Sequence, residues 1–235
     1  MDAPLPAFSV GSVPVYGDLI LSPMEGFSDL PFRSICRAMG SAMSYTEFIN
    51  AMDILQGSPE VQQKIAFLAE ERPVVFQIFD NDPQRLLQAA RLLRTYQPDI
   101  LDINMGCSVR RVSGRGAGAG LLRTPLKVAR IFRTLTRELD IPVTAKIRLG
   151  WEPGMLNYSL IARIVEENGG ALVAVHGRSR SQGYGGQADW DAIAHVKQML
   201  KIPVIANGDV KTVQDIHAIH VRQVVIHKND IGAES

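Results

Sequence analysis

The chain has 235 residues, 46% hydrophobic and 21% charged, which suits a single globular α/β core and excludes a disordered or fibrous protein. A formal net charge of +1 gives no support for nucleic-acid binding by bulk charge, so any RNA contact has to come from a local patch. Two isolated cysteines, Cys36 and Cys107, form neither a C-x-x-C pair nor a zinc spacing, no apolar stretch nears membrane-span length, and the start MDAPLPAFSV lacks a signal peptide's basic and apolar regions; a cytoplasmic protein with no structural metal and no membrane contact is expected.

Residues 1–18 are short, proline-containing and irregular, with a small hairpin expected from Phe8 to Val15, and read as a cap on one end of the fold. A rhythm of strand and helix follows. Leu19 to Leu21 is a strand whose exit loop, Ser22-Pro23-Met24-Glu25-Gly26, leads to Ser28 as the N-cap of a helix closed by Gly40. Met43 to Phe48 is a second strand, ending in Thr46, Glu47 and Phe48, before an uneven helical region to Glu71. Pro73 to Phe79 is a third, apolar strand with Gln77 near its exit, and Asn81, Asp82 and Pro83 start a helix whose Leu86, Leu87, Ala90 and Leu93 share one face.

The fourth unit runs from Pro98 through the apolar Ile100, Leu101 and Ile103 into a polar turn, which puts Cys107 on the loop leaving a strand. Glycines 114, 116, 118 and 120 follow, and then Thr124-Pro125 opens a helix to about Leu139. The segment GRGAGA fits the G-x-G-x-x-A form of a dinucleotide fingerprint but stands about ten residues beyond the strand that such a fingerprint must follow directly. A backbone that approaches something closely is the better reading of these glycines. Ile141 to Ile147 is a fifth strand that embeds Lys146 and ends at Arg148; Leu156 to Asn168 is a helix stopped by Gly169 and Gly170. Ala171 to Val175, ending in His176-Gly177-Arg178, is the sixth strand, and Asp189 opens the next helix. Ile202 to Ala206, ending in Asn207-Gly208-Asp209, is the seventh; Thr212 caps a further helix, and Gln223 to His227 is a candidate eighth strand.

Seven or eight apolar strands alternating with helices are what a parallel (β/α)8 TIM barrel requires, with a doubly wound open sheet as the competing arrangement. The unusual polar residues decide between them. Met24, Glu47, Gln77, Asn104, Lys146, His176 and Asn207 all fall at strand C-terminal ends, which converge on one mouth in a barrel and spread along an edge in an open sheet.

Taken singly, these residues leave alternatives open. Lys146 inside an apolar strand is either an edge lysine reaching water or a ligand for an anion or an electron-rich ring. His176 is either a satisfied structural histidine or a ligand contact at a strand end. Gln77 both donates and accepts, as reading an imide-like edge requires. Asn207-Gly208-Asp209 is either a plain turn or a phosphate site of the kind barrels build at this strand. The segment from Arg178 to Trp190 is basic with Tyr184 among glycines, either a solvated loop or a place for a base to stack. Cys107 is either an inert thiol or, given Arg110, Arg111 and Arg115 nearby, a chemical group.

Together, the stretches SPMEGFSDLPFR at 22–33, YTEF at 45–48, VVFQIFDNDP at 74–83, DINMGCSVRRV at 102–112, the GAGAGLL loop, VTAKIRLGW at 143–151, VHGRSRSQGYGGQADW at 175–190 and IPVIANGD at 202–209 resemble the tRNA-dihydrouridine synthases, flavin-dependent barrel enzymes. The resemblance runs from about residue 17 to 220. It implies that Pro23, Met24, Glu25, Gln77, Lys146, His176, Asn207, Gly208 and Asp209 contact FMN, that NADPH recharges the flavin, and that Cys107 is the proton donor when uridine in tRNA is reduced to 5,6-dihydrouridine. Asn104 and Arg178 are the candidates for holding the uracil. A thiol with its ordinary pKa of about 8.5 stays mostly protonated at neutral pH and suits that acid role.

The chain departs from the family's pattern in two places. Ser108 follows the cysteine where the family usually has proline, which bears on loop stiffness more than on chemistry. After His220 the chain reads VRQVVIHKNDIGAES, without the Gly-Arg-Gly phosphate motif that ends the family's last strand and without the helical domain that follows it. The expected organisation is therefore a cap (1–18), an FMN-binding barrel (19–220) and an atypical tail (221–235), in a monomer. With its last strand altered or missing, the barrel is expected to have unpaired edges, weak FMN binding and little activity on tRNA. The competing readings are another FMN barrel reducing a small enone or pyrimidine, and a non-catalytic remnant.

Overall fold

The computed structural model describes residues 5–220 and 225–228. A hairpin of β1 (Phe8–Val10) and β2 (Val13–Val15) comes first. The parallel strands are then β3 (Leu19–Leu21), β4 (Ser44–Tyr45), β5 (Ile49–Asn50), β6 (Val74–Phe79), β7 (Ile100–Met105), β8 (Val143–Arg148), β9 (Val173–His176), β10 (Val204–Asn207) and β11 (Val225–Lys228). They pair in the order β3-β11-β10-β9-β8-β7-β6-β4, with β5 also on β6. The two ends of this order meet, because the Ala42 N–H donates to the Leu19 carbonyl at 2.9 Å as the chain enters β4.

That circuit corrects the expectation of unpaired edges. β11 lies in parallel register with both β10 (Ala206 beside Ile226) and β3 (Leu19 beside Ile226), so an eighth strand position is filled. The rest of the atypical tail, 221–224 and 229–235, lies outside the described residues. The second strand position is split, with β4 pairing the start of β6 and β5 its end. Thr46, Glu47 and Phe48 lie between the two pieces, where a single strand through Phe48 is expected from the sequence.

Helices α1 (Leu30–Ala38), α2 (Ala51–Leu55), α3 (Pro59–Ile65), α4 (Pro83–Arg94), α5 (Arg110–Ser113), α6 (Pro125–Glu138), α7 (Tyr158–Glu167), α8 (Trp190–Met199) and α9 (Val213–His220) cover the sheet. Their starts follow local chemistry. Asp82 accepts from Gln84 and Arg85 N–H groups at 2.9 Å, ahead of a proline in the first turn. Thr212 and Asp215 bond each other's backbone N–H reciprocally, as in a capping box. Two expected caps differ. Asp29, not Ser28, caps α1, because Ser28 Oγ is engaged by Met24 (N–H in at 2.9 Å, O–H out to the carbonyl at 3.0 Å). Thr124 makes no cap bond, since its hydroxyl donates to the Leu121 carbonyl instead.

Strand alternation separates two apolar clusters. Val74, Phe76, Ile78, Leu101, Ile103, Val143, Ala145, Ile147, Val173 and Val175 face the helices, where they meet Leu86, Leu93, Val128, Phe132, Ile161 and Val196. Each leucine or isoleucine fully buried there contributes about 1.5–3 kcal/mol. Ile20, Met43, Tyr45, Val75, Ile100, Ala174 and Ile205 instead fill the barrel interior with Val10 and Val15 of the hairpin, which plugs the end opposite the strand exits.

Candidate active site

Two residues beyond each inward apolar position, the interior turns polar. After Val75 comes Gln77, after Ile100 come Asp102 and Asn104, after Ala174 comes His176, and after Ile205 comes Asn207; β8 contributes Thr144, Lys146 and Arg148. The mouth above them is a cavity of about 1120 Å³. Of the residues singled out in the sequence, Pro23, Met24, Glu25, Gln77, Asn104, Cys107, Lys146, His176, Arg178, Tyr184 and Asp209 line it. Asn207 and Gly208 lie just behind. The Asn207 side chain accepts from Lys146 Nζ at 2.8 Å, and the Gly208 carbonyl accepts from the Trp190 indole at 2.9 Å. Gly208 has φ +105°, and a Cβ there would come within 2.9 Å of the His176 ring. A side chain at that position would therefore push the imidazole out of place.

The mouth mixes cations (Lys146, Arg148, Arg178) with carboxylates (Glu25, Asp209). Burial lowers the Lys146 ammonium to about 7, and Arg148 adds to this, while Asp102 works against it. Burial lowers His176 to about 2, helped by Lys146, Arg148 and Arg178, so its ring is neutral at physiological pH. Arg148 is held by carbonyls, bonding Gly106 O at 2.9 Å, Ser179 O at 3.0 Å and Gly183 O at 2.8 Å, with Tyr184 5.8 Å from its guanidinium. It thereby ties the cysteine loop to the Tyr184 loop. Arg178 is committed more heavily, donating to both Asp209 oxygens at 2.7 and 2.8 Å and to the carbonyls of Gly185 and Gly186. Burial tends to raise Asp209, but Arg178 and the Ala188 N–H outweigh it and hold the carboxyl below its ordinary value.

Cys107 sits on the loop after β7. Its backbone N–H donates to Asn104 Oδ1 at 2.9 Å, and its carbonyl accepts from Ala119 N–H at 3.1 Å. Burial raises the thiol's pKa; the Val109 N–H, Arg148 and Arg111 pull it down but do not win. The thiol is thus protonated at neutral pH. The glycine run proves to serve this loop. A Cβ on Gly118, which has φ +52°, would meet the Cys107 carbonyl at 3.0 Å, and one on Gly120 would meet the Ser113 carbonyl at 2.5 Å. What the glycines approach closely is the cysteine loop and the short helix α5.

Met24 and Glu25 are held from behind. Arg33 pairs with Glu71 at 2.9 Å, both fully buried, and donates to the Ser28 and Ala66 carbonyls, which pins the loop leaving β3. The backbone N–H of Gly26 donates to Glu47, and Lys64 donates to Glu25 Oε1 at 2.6 Å. Among the described residues Glu25 Oε2 is buried without a partner, leaving an acceptor for a ligand N–H or O–H.

Arg148, Trp190, Phe27 and Phe48 also line the cavity and were not singled out from sequence. Arg148 carried a legible signal, as the residue two beyond Lys146 on the same strand face. The two phenylalanines carried none. Among the described residues no group of three or more His, Cys, Asp or Glu is placed to hold a metal ion, and no helix is long and apolar enough to cross a membrane.

A parallel β/α sheet closed on itself, with a polar cavity at the strand exits, defines a TIM-type barrel. Among solved structures, the BexX/CysO complex of Amycolatopsis orientalis has a chain that superposes with TM-score 0.64 at 15% identity, over 96% of this chain and 84% of that one, a likeness of fold alone. The family model for dihydrouridine synthase (Dus) matches residues 20–226, and the chain belongs to that family. A probable tRNA-dihydrouridine synthase 1 of Synechocystis sp. is 39% identical over 208 residues, covering 87% of this chain and 58% of that protein. The tRNA-dihydrouridine synthase B of Xanthomonas campestris pv. campestris is 38% identical over 205 residues, covering 87% and 62%. The chain thus spans about three-fifths of the length of the relatives it matches.

Proposed function

We propose that this chain is the FMN-binding barrel of a tRNA-dihydrouridine synthase, reducing uridine in tRNA to 5,6-dihydrouridine with NADPH as the reductant. The observation that carries this reading is the meeting, in one mouth, of a protonated Cys107 with Lys146, His176 and Gln77. The residues present fit a flavin. The cavity is of cofactor size, Lys146 supplies a cation for an electron-rich or anionic edge, Gln77 supplies an amide that both donates and accepts, and Glu25 supplies an open acceptor. Pro23, Met24, Glu25, Gln77, Lys146 and His176, backed by Asn207, Gly208 and Asp209, are the residues that would hold it.

Once reduced, an FMN held there would supply the hydride for carbon 6 of the uracil. The protein's own part is a proton and a place. The Cys107 thiol gives its proton to carbon 5, and burial suits it to that task by keeping it protonated at neutral pH. Asn104 lines the cavity while donating to Gln77 Oε1 at 2.9 Å, and Tyr184, 78% exposed and 6.2 Å from the His176 ring, offers a face on which an extruded base can stack. Arg178 lines the cavity with Nη1 beside the His176 ring, while its Nη2 is held by Asp209 and its Nε and Nη2 shape the loop that carries Tyr184.

The test is to incubate the purified protein with FMN, NADPH and tRNA lacking dihydrouridine, and to assay nucleosides by mass spectrometry. Dihydrouridine is expected from the wild type, at low yield given the weak tRNA grip expected from the sequence, and not from Cys107→Ala. Equal product from both, or none from a protein that carries reducible flavin, would contradict the proposal.

A further inference from the structure

Behind the residues that line the cavity lies a buried carboxylate that the proposed chemistry does not use. Asp102 is fully buried inside the barrel, in register with Gln77 of β6 on one side and Thr144 of β8 on the other. Thr144 Oγ1 donates to its Oδ1, and Gln77 Nε2 donates to its Oδ2 at 2.7 Å. The sequence continues outward. Asn104 Nδ2 donates to Gln77 Oε1 at 2.9 Å, and the backbone N–H groups of Gly106 and Cys107 donate to Asn104 Oδ1 at 3.1 and 2.9 Å.

Every bond in this series points the same way, from the cysteine loop through two amides to Asp102. An amide can present either end to a neighbour, whereas an ionised carboxylate only accepts. Asp102 therefore fixes the inner end of the series, with the Gln77 nitrogen turned inward and its oxygen toward Asn104, in agreement with the outer end, where the N–H groups of the Cys107 loop can only donate to the Asn104 oxygen. Burial raises the carboxyl to about 6, against the bonds from Thr144 and Gln77 and the charge of Lys146, which leaves it ionised at neutral pH. A buried carboxylate is costly unless its lone pairs are used, and here both oxygens are.

We propose that Asp102 is a positioning residue whose acceptor-only end sets the direction of the Gln77–Asn104 amide pair, and so holds the amide at the cofactor site and the Cys107 loop in one fixed arrangement. Its flavin half rests on the function proposed above; its thiol half does not.

The test uses Asp102→Asn, whose side chain can donate as well as accept and so removes the fixed direction with almost no change in volume. Three quantities are read: FMN affinity by fluorescence titration, the visible spectrum of bound flavin, and the pH profile of Cys107 alkylation by iodoacetamide in a Cys36→Ser background without flavin. Loss of a hydrogen bond to a charged group corresponds to about tenfold. FMN affinity is expected to fall by about that factor with a shifted flavin spectrum, and the alkylation profile to move from that of the parent. The double variant Asp102→Asn/Gln77→Glu reverses donor and acceptor between the two positions while leaving Asn104 an acceptor to bond. It is expected to restore the alkylation profile but not the flavin spectrum.

A wild type that binds no FMN would defeat the proposed function while the alkylation comparison still tests Asp102. If the wild type binds FMN and Asp102→Asn changes none of the three quantities, the inference is overturned. Should Asp102→Asn fail to fold, Thr144→Val removes one of the two donors to Asp102 and is read by the same measurements. Smaller changes in the same direction support the inference, and an unchanged set overturns it.

Discussion

At the plugged end of the barrel, Ile20, Val75, Ile100 and Ile205 meet Val10 and Val15 of the hairpin; two residues further along the same strands, the inward positions hold Gln77, Asp102 and Asn207. The backbone geometry is the same at both ends, and the alternation that points Val75 inward also points Gln77 inward. Only the side chains differ. The plugged end excludes water and holds the sheet in a circle, so its contribution is stability. The mouth buries charge and amides at a cost to stability, and keeps them in place by mutual bonds such as Lys146 to Asn207 at 2.8 Å. Substitutions at the two ends should therefore separate cleanly, one set altering stability with the site intact, the other altering binding or chemistry with the fold intact.

The largest separation is expected at Cys107. Cys107→Ala should lower dihydrouridine formation by about 10²- to 10⁴-fold, the usual worth of a positioned general acid, while FMN content and the melting temperature stay at wild-type values. Product formed at the wild-type rate would show that another group delivers the proton. The mirror experiment is Ile100→Ala at the plugged end, where a fully buried side chain is cut back. Denaturant unfolding should show a loss of about 2–5 kcal/mol, with FMN affinity unchanged under native conditions. A variant that lost flavin affinity while keeping its stability would break the comparison. Tyr184→Ala tests the outermost layer of the mouth. It should raise KM for tRNA by an amount matching about 1–3 kcal/mol of base stacking, with flavin affinity close to wild type. An unchanged KM would leave the exposed ring without a role in substrate binding.

The smallest effect is the uptake of up to one proton per site. Lys146 has its folded-state value lowered to about 7 by burial and by Arg148, so above that pH the ligand-free protein holds it mostly neutral. A flavin that needs the ammonium must restore the missing proton on binding. Proton uptake should be close to zero at pH 6 and approach about one per site at pH 8, and FMN affinity should weaken as pH rises above 7. Calorimetric titrations in buffers of different ionisation enthalpy measure the uptake directly. Heats independent of buffer at pH 8 would mean that the flavin does not engage a charged Lys146.

Much of the barrel was legible because its strands are apolar runs broken by capping residues, as at Asp82-Pro83 and Asp189, and because polar residues at strand ends stand out against such runs. The mouth residues Gln77, Asn104, Lys146 and His176 were visible for that reason. What was not legible depended on contacts between segments distant in sequence. Ser28 looked like a helix cap, but its hydroxyl is drawn to Met24 by the turn the chain makes there. The glycines from 114 to 120 read as a backbone that approaches something closely, but what Gly118 and Gly120 approach, the Cys107 and Ser113 carbonyls, shows only in the fold. Arg178 could be read as a candidate to grip a base, but not the carboxylate 31 residues away that holds its Nη2. Asp102 was passed over because an aspartate two residues before an asparagine is ordinary in sequence, whereas Arg148 was marked only by standing two residues beyond Lys146. Their weight comes from burial beside neighbours the fold supplies.

If the polar end of the barrel interior is a flavin site, fluorescence titration of FMN against the wild type and Lys146→Met at equal folded concentration should show saturation at one FMN per chain for the wild type and affinity lower by roughly 10- to 100-fold for the variant, the loss expected when a contact to a buried charge is removed. No saturable binding by the wild type, or equal affinity in a properly folded Lys146→Met protein, would contradict a flavin site there.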